Sequence, residues 1–527
     1  MNGRSCHRRV SRALSTLLLI GAVTIGFGAA TPGLSGASGT AAYNPDGTLR
    51  YAYDFTQSPL IFDPAKATVY DTGVVLGQLL YDSLLRQQPN GALTPELATS
   101  ATIVNPETIS VTLRPDVKFQ DGTPLNAAAV QFTIERNLAA KSIAFPPEFA
   151  DISSVDTDGN LGLTLHLSGP DAGAVYPDLA GLETMPVSPT AVARNDPNPI
   201  TNPLGAGPFR VRQYVSDQSL LLTKSSTYWN AKDIKLGGIE FVQATAGTPA
   251  AINQLKAGTV DVITSDPTQL DALKGGGIET SIASSPTSKL YFPLCTTQSP
   301  LDNVKVRQAL NYGLNKTAIN KALAGGKGEP ASALVPSTSN LYPANLTNSY
   351  AYNPTKAKQL LAEAGYAKGL TLTMIPTPLP VTQSLAEIAQ QEWKQIGVNL
   401  EIKTSSNFVQ DVFVNHIVDL TDSNVVRSGL DAISFLYTPG HLGDLCGYQN
   451  ATLTSLINQI GALAPTSPQY VKLWDEAQDF VVKNALDVWG VWLPTVIAYN
   501  GSRVGGIQTV IPGVTAYPDF FTAYVKK

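Results

Sequence analysis

The sequence predicts mixed α/β lobes, several of them in one chain, and three observations lead there. The 527 residues, at about 150 per domain, suggest three or four domain-sized units, so a small single-core module is excluded. Hydrophobic residues make up 43% and charged residues 15%, a globular balance that rules out global disorder and a fibrous chain. A local grammar of helix, glycine and alternating strand then recurs along the chain, as mixed α/β lobes require.

At the amino end, Arg4, Arg8, Arg9 and Arg12 precede an uncharged stretch from Ala13 to Ala30. Its apolar heart, Leu17-Leu18-Leu19-Ile20 and Val23 to Phe27, has the length of a signal-peptide h-region. It reads as an export signal. The alternative is a single membrane anchor, which Ser15, Thr16, Gly21, Thr24, Gly26 and Gly28 dilute. Small residues at Gly28 and Ala30, or at Thr40 and Ala42, offer two cleavage sites, and Thr31 to Ala41 reads as a flexible leader. Arg8-Arg9 leaves a twin-arginine export route open. Further on, Ile109, Val111 and Leu113 alternate as a strand, Gln120-Asp121-Gly122 makes a turn, and Asn126 caps a helix carrying Val130, Ile134 and Leu138. Phe209, Val211 and Gln213 run into a turn near Ser216-Asp217, and Leu220 to Thr223 returns.

Three later segments repeat the grammar. Thr248 caps a helix with Pro249 at its first position, Ile252 and Leu255 face inward, Gly258 stops it, and Val260 and Val262 alternate. A second helix starts at Asn353-Pro354, buries Ala357, Leu360, Leu361 and Ala364, and ends at Gly365 before Leu370, Leu372 and Met374. The third runs from about Gln383 to Gly397 and leads into Val398, Leu400 and Ile402. Proline-rich stretches at Pro186 to Pro203 and Pro330 to Pro343 read as long surface connections. After residue 43 there is no internal repeat and no second apolar run of membrane length.

Removing the four leading arginines turns 36 basic residues against 41 acidic ones into 32 against 41. An acidic body without a Lys/Arg run argues against nucleic acid as a partner. With Cys6 in the leader, Cys295 and Cys446 remain, either one pair in an oxidising compartment or two separate buried thiols. As a pair they would stabilise by roughly 4 to 5 kcal/mol in the chain-entropy model. No cysteine follows the h-region closely, so a lipid anchor is not readable.

The search for chemistry is mostly negative. There is no GxSxG elbow, HExxH, phosphate-binding GxxxxGK[ST] loop or CxxC. Gly205-Ala206-Gly207 lacks the third glycine of a dinucleotide fingerprint and precedes a strand, so it is a turn. His166, His416 and His441 stand at no metal-ligand spacing, and His166 points opposite to Leu163, Leu165 and Leu167 on its strand. No catalytic residue, metal site or cofactor is expected. The 41 aromatic residues say more, and Trp474, Trp489 and Trp492 crowd the carboxyl end. Most should be core; a cluster of Tyr437, Tyr448, Trp489 and Trp492 could instead wall an apolar pocket.

A series of motifs then carries a resemblance. Leu79-Leu80-Tyr81-Asp82-Ser83-Leu84-Leu85 is followed by Leu93-Thr94-Pro95-Glu96-Leu97-Ala98, and then by Leu113-Arg114-Pro115-Asp116-Val117-Lys118-Phe119-Gln120-Asp121-Gly122-Thr123-Pro124-Leu125. Asn202-Pro203-Leu204-Gly205-Ala206-Gly207-Pro208-Phe209, Tyr228-Trp229-Asn230 and Ala257-Gly258-Thr259-Val260-Asp261 come next. Val306-Arg307-Gln308-Ala309-Leu310-Asn311-Tyr312 and the stretch from Tyr352-Asn353-Pro354 to Gly365-Tyr366 complete the set. In this order they resemble the extracellular solute-binding proteins, family 5, that serve peptide and nickel ABC importers. Read physically the motifs are scaffold, with Arg307, on a helix expected from Asn303 to Ala324, bonding to carbonyls or to a carboxylate.

The resemblance implies an α/β, two-lobed periplasmic-binding-protein fold of the large peptide-binding type, with an extra subdomain in lobe one and a two-strand hinge. Residues 1–42 would be signal peptide and leader, 43–290 lobe one with an insert at about 80–200, 291–495 lobe two, and 496–527 the return to lobe one. The implied function is capture of a small solute, foremost a short peptide, between the lobes for delivery to an ABC permease, by an exported monomer without enzymatic activity. A sugar, nickel chelate or signalling peptide is the alternative ligand, and a secreted hydrolase the rival class. Relatives place an Asp after a lobe-two strand on the peptide amino group. Here that stretch offers Asn424, Arg427 and Asp431, with Ala432 where relatives have proline. Asp431 is either that anchor or a turn or helix cap, and Arg427 either meets a ligand carboxylate or neutralises Asp431. The resemblance adds Gln57, Phe62 and Asp63 from lobe one, Phe292 and Cys295 from the hinge, and Trp489 or Trp492 on the other side; Asp63 could alternatively only begin a turn.

Overall fold

Seven strands form the largest sheet of the computed structural model, which describes residues 42–55, 60–66, 76–88, 92–141, 147–244, 248–283, 286, 288–423, 429–438, 443–510 and 517–527. Across the sheet the order is Ile278–Ile282, Val496–Asn500, Val262–Ser265, Thr48–Tyr53, Gly238–Gln243, Ser219–Lys224 and Phe209–Val215. Alternation gives each strand two apolar faces. Leu49, Tyr51, Ile239 and Phe241 pack on one side, while Ala52, Ile263, Val496 and Ala498 meet Ile252 and Leu255 of the helix Pro249–Ala257 on the other. That helix starts as its residues dictate: the Thr248 hydroxyl accepts from the Ala251 amide, Pro249 sits in the first turn, and Gly258 ends it at φ 72°. Its strand begins at Val262, with Val260 buried in the turn before it.

Asp261, fully buried, ties together two segments distant in sequence, at Arg50 and at Arg503. Its carboxylate accepts from Arg50 Nη2 and Arg503 Nε, each at 2.7 Å, and from the Arg50 amide at 2.9 Å. An antiparallel sheet of four strands stands apart, in the order Ala98–Asn105, Thr108–Leu113, Gly162–Leu167, Ile152–Asp158. The helix Ala127–Ala140, capped by Asn126, lies against it and closes a separate core. His166 stands on the outer face of this sheet, paired with Asp156 at 3.0 Å.

The remaining core is built around three strands, with Asp487–Leu493 between Ser288–Pro293 and Glu329–Pro330. One face of this sheet carries Leu290, Phe292, Val488 and Val491, covered by helices that include Pro380–Gln395. The other carries Tyr291, Trp489 and Trp492, covered by Gly429–Tyr437, Ala451–Gly461 and Pro468–Lys483. The parallel pair Leu370–Met374 and Val398–Ile402 flanks the first of these cores. Two expectations shift. Pro380 opens its helix three residues before Gln383. The helix expected over Asn303 to Ala324 is two, Val304–Tyr312 and Lys316–Ala324, because Gly313 ends the first and the Asn315 side chain caps the second at Ala318. Arg307 bonds to carbonyls, with the oxygens of Leu301 and Asn484 at 2.7 Å and those of Asp302 and Ala485 at 3.1 Å. The two-lobed α/β architecture is thus in place, and among the described residues no helix is long and apolar enough to cross a membrane.

Candidate functional site

The site is built on the paired strands Ser288–Pro293 and Asp487–Leu493, and their register decides what it contains. Tyr291 pairs with Trp489 and Leu290 with Val491, so Gly490 is an extra residue on its strand, a β-bulge. In a regular strand Trp489 and Trp492, three apart, would point to opposite faces. The bulge brings both to the face of Lys289 and Tyr291, opposite their ladder partners. Glycine is required there, since a Cβ at 490 would lie 2.4 Å from the Leu290 carbonyl oxygen.

Lys289 is 3% exposed and its ammonium sits among three rings, 4.1 Å from the centre of Tyr291, 4.9 Å from Trp489 and 5.8 Å from Trp492. Cation–π attraction of this kind compensates part of the cost of burying the charge. Burial still pulls its pKa down to about 8, against the field of Asp487. Asp487, also buried, accepts from the Tyr437 hydroxyl, and burial pushes its pKa up to about 6. Asn311 braces the strand, donating to the Asp487 carbonyl at 2.9 Å and accepting from the Trp489 amide at 3.1 Å.

A loop runs alongside the first of these strands, bridging Ser423 to Tyr291 and Leu420 to Leu294. Asp422 on it is 1% exposed; Oδ1 accepts from the Thr377 amide at 2.8 Å while Oδ2 is buried with no partner among the described residues. Burial raises its pKa to about 6. Beyond the strand, Cys295 and Cys446 form a disulfide with Cα atoms 5.1 Å apart, fixing the strand's end to the segment that follows the helix Gly429–Tyr437.

The expected site residues separate under this geometry. Trp489 and Trp492 come together, joined by Tyr437 and, at the margin, Tyr448. Phe292 is not a lining residue: it points to the other face and packs on Trp393, with ring centres 5.2 Å apart. Cys295 is buried in its disulfide. Phe62 packs on Tyr214 at 5.3 Å and lines a separate cavity of about 650 Å³ in the first lobe. Asp63 starts a turn and is held by both Arg136 terminal nitrogens, at 2.9 and 2.6 Å, so its charge is committed within the fold. Gln57, Asn424 and Arg427 lie outside the described residues; Asp431 belongs to the helix Gly429–Tyr437, and its side chain is outside them too. Lys289 and Asp422 escaped the sequence reading. The sequence signal for Lys289 was a charge directly before the apolar run Leu290-Tyr291-Phe292.

The family motifs, by contrast, meet one another. Trp229 Nε1 donates to Asp82 at 3.1 Å, Arg86 pairs with Glu96 at 2.7 Å, and Arg114 stacks on Trp229 at 4.2 Å. Gln120 Nε2 donates to the carbonyls of Phe209 at 2.7 Å and Gly207 at 3.1 Å. Comparison with known proteins agrees with this scaffold. The chain is 28% identical over 378 residues to di/tripeptide-binding protein 3 of Pseudomonas aeruginosa (strain UCBPP-PA14), covering 66% of this chain and 70% of that one. It is 28% identical over 341 residues to the glutathione-binding protein GsiB of Shigella flexneri serotype 5b, covering 63% and 66%. The solved structure of the ABC transporter substrate binding protein CtaP from Listeria monocytogenes superposes with a TM-score of 0.78 at 21% identity, over 92% of this chain and all of that one. The model of the bacterial extracellular solute-binding proteins, family 5 (middle region), matches residues 92–444, and the chain belongs to that family.

Proposed function

We propose that this protein is an exported receptor that captures a short peptide between its two lobes and delivers it to an ABC permease. The observation that carries the reading is the strand pair Ser288–Pro293 and Asp487–Leu493, walled on one face by Tyr291, Trp489 and Trp492, in a chain whose curated relatives are named for di/tripeptides and glutathione. The division that fits is 43–290 and 496–527 as lobe one, with the insert at about 80–200, and 291–495 as lobe two. Residues 1–42 act as signal and leader, and the protein works as a monomer. Ligand touching both lobes favours the closed form by as much as it binds that form better, and the permease reads the difference. The role is binding without turnover: the family is one of substrate-binding proteins.

The test is native mass spectrometry of the exported protein, followed by denaturation and identification of any released molecule, alongside uptake assays in a deletion strain. A bound short peptide and lost peptide uptake are expected. A sugar or metal chelate in its place, or unchanged uptake with no peptide binding, overturns the peptide assignment.

A further inference from the structure

We propose that Lys289, together with the indole N–H groups of Trp489 and Trp492, forms an anion subsite that takes a carboxylate of the ligand. The inference rests on the reading of the protein as a peptide receptor and specifies where the negative end of such a ligand is held.

The argument is one of unmatched donors. The Gly490 bulge places Lys289, Trp489 and Trp492 on one face of the strand pair. Trp489 and Trp492 are 0% and 2% exposed, and neither Nε1 has a hydrogen-bond partner among the described residues. Two buried indole donors left unpaired are costly, and a buried ammonium with no carboxylate in direct contact is costlier still. Among the described residues, none forms an ion pair or hydrogen bond with the Lys289 ammonium; its side-chain contacts there are the three aromatic rings. Asp487, two residues before Trp489, is engaged by the Tyr437 hydroxyl and, among the described residues, acts on the ammonium through its field without forming an ion pair with it. The cluster therefore offers three donor groups, one of them cationic, and its own side chains supply no acceptor to them. A fold selected for stability alone fills such a position with an apolar side chain. A carboxylate supplies what is missing, since it accepts several hydrogen bonds and neutralises the ammonium in a low-dielectric setting. The rings around it exclude water, which strengthens the pair.

The test uses the full exported chain, stripped of endogenous ligand by unfolding and refolding, with Lys289→Met, Lys289→Arg and Trp489→Phe/Trp492→Phe variants. Calorimetric titration compares Ala-Ala and Ala-Ala-Ala with their carboxyl-terminal amides and with amides carrying a Glu side chain. The expected result is that removing the carboxylate, or Lys289→Met, weakens binding by about tenfold or more, and that the two losses are not additive. Lys289→Arg retains most of the affinity. Rescue of an amide by a Glu side chain identifies a side-chain carboxylate as the partner, while failure of that rescue identifies the peptide's own terminus.

A second readout separates this proposal from the peptide reading. Tryptophan fluorescence is titrated with acetate, succinate and glutamate, none of which is a peptide. Saturable quenching in the native protein that is absent in Lys289→Met supports the subsite even where no peptide binds. Lys289→Met also raises the melting temperature of the ligand-free protein, whereas a purely structural lysine would lower it. Equal affinity for acids and amides in both proteins, or identical and non-saturable quenching, overturns the subsite.

Discussion

A buried carboxylate with one oxygen unpaired has a definite signature in pH, and Asp422 provides it. Its folded pKa is about 6 because burial disfavours the anion, against an ordinary value of 3.8. Between these values the folded state binds more protons than the unfolded chain, so unfolding free energy falls as pH rises through the window. The contribution is complete below 3.8 and lost above about 6. Asp487 acts in the same direction, also at about 6. In Asp422→Asn the Oδ1 that accepts from Thr377 is retained and the charge is gone. Denaturant unfolding from pH 4 to 7 should show the native protein losing stability relative to this variant as pH rises, and parallel curves would contradict the assignment. Arg307 shows the opposite use of a charge, spread over four main-chain carbonyls that join the helix Val304–Tyr312 to the loop before it and the turn at Asn484.

At the scale of elements, the disulfide fastens the end of the strand Ser288–Pro293 to a segment 151 residues later in sequence. Replacing both cysteines by serine should lower stability by roughly 2 to 5 kcal/mol, read as a shift of the denaturant midpoint, and added reductant should then have no further effect. A midpoint unchanged in the variant would show the covalent link to be dispensable. What could be read from sequence was local: Thr248, Asn353 and Asn126 cap helices where expected, because a cap and its amide partner lie two or three residues apart. The break at Gly313 to Asn315 was visible as residues but outweighed by the apolar periodicity on either side. The placement of Phe292 could not be read, since strand alternation assigns Phe292 and Tyr291 to opposite faces without saying which face meets which core. Trp489 and Trp492 depend on a bulge that exists only in register with a strand some two hundred residues earlier.

For the whole molecule, segments that the proposed division assigns to different lobes also touch away from the paired strands. The short helix Ala172–Val175 places Ala172 and Val175 in the core of the four-stranded sheet, while Ala174 packs toward the core of Trp474 and Trp489. Between them Gly173 lies so close that a Cβ would meet the Leu463 carbonyl oxygen at 2.0 Å and that of Gly461 at 2.8 Å. These are main-chain atoms at the end of a helix and have no side chain to turn aside. Gly173→Val should therefore hold the lobes apart, giving a larger radius of gyration by small-angle scattering and weakening ligand binding by about tenfold or more. Unchanged scattering and affinity would remove Gly173 from the closing contact.

The position of Val496–Asn500 has a consequence for the life of the chain on the ribosome. This strand lies inside the seven-stranded sheet, hydrogen-bonded to both Ile278–Ile282 and Val262–Ser265, although it follows both of them in the chain by a long intervening stretch. Until it emerges, the strand Ile278–Ile282 has no neighbour in the sheet, and Asp261 lacks the guanidinium of Arg503. Completion of this sheet must therefore wait until residue 500 has been synthesised, and such long-range pairing is slow to form. A nascent chain stalled before residue 496 should remain sensitive to protease across residues 262–282, and release of the complete chain should abolish that sensitivity.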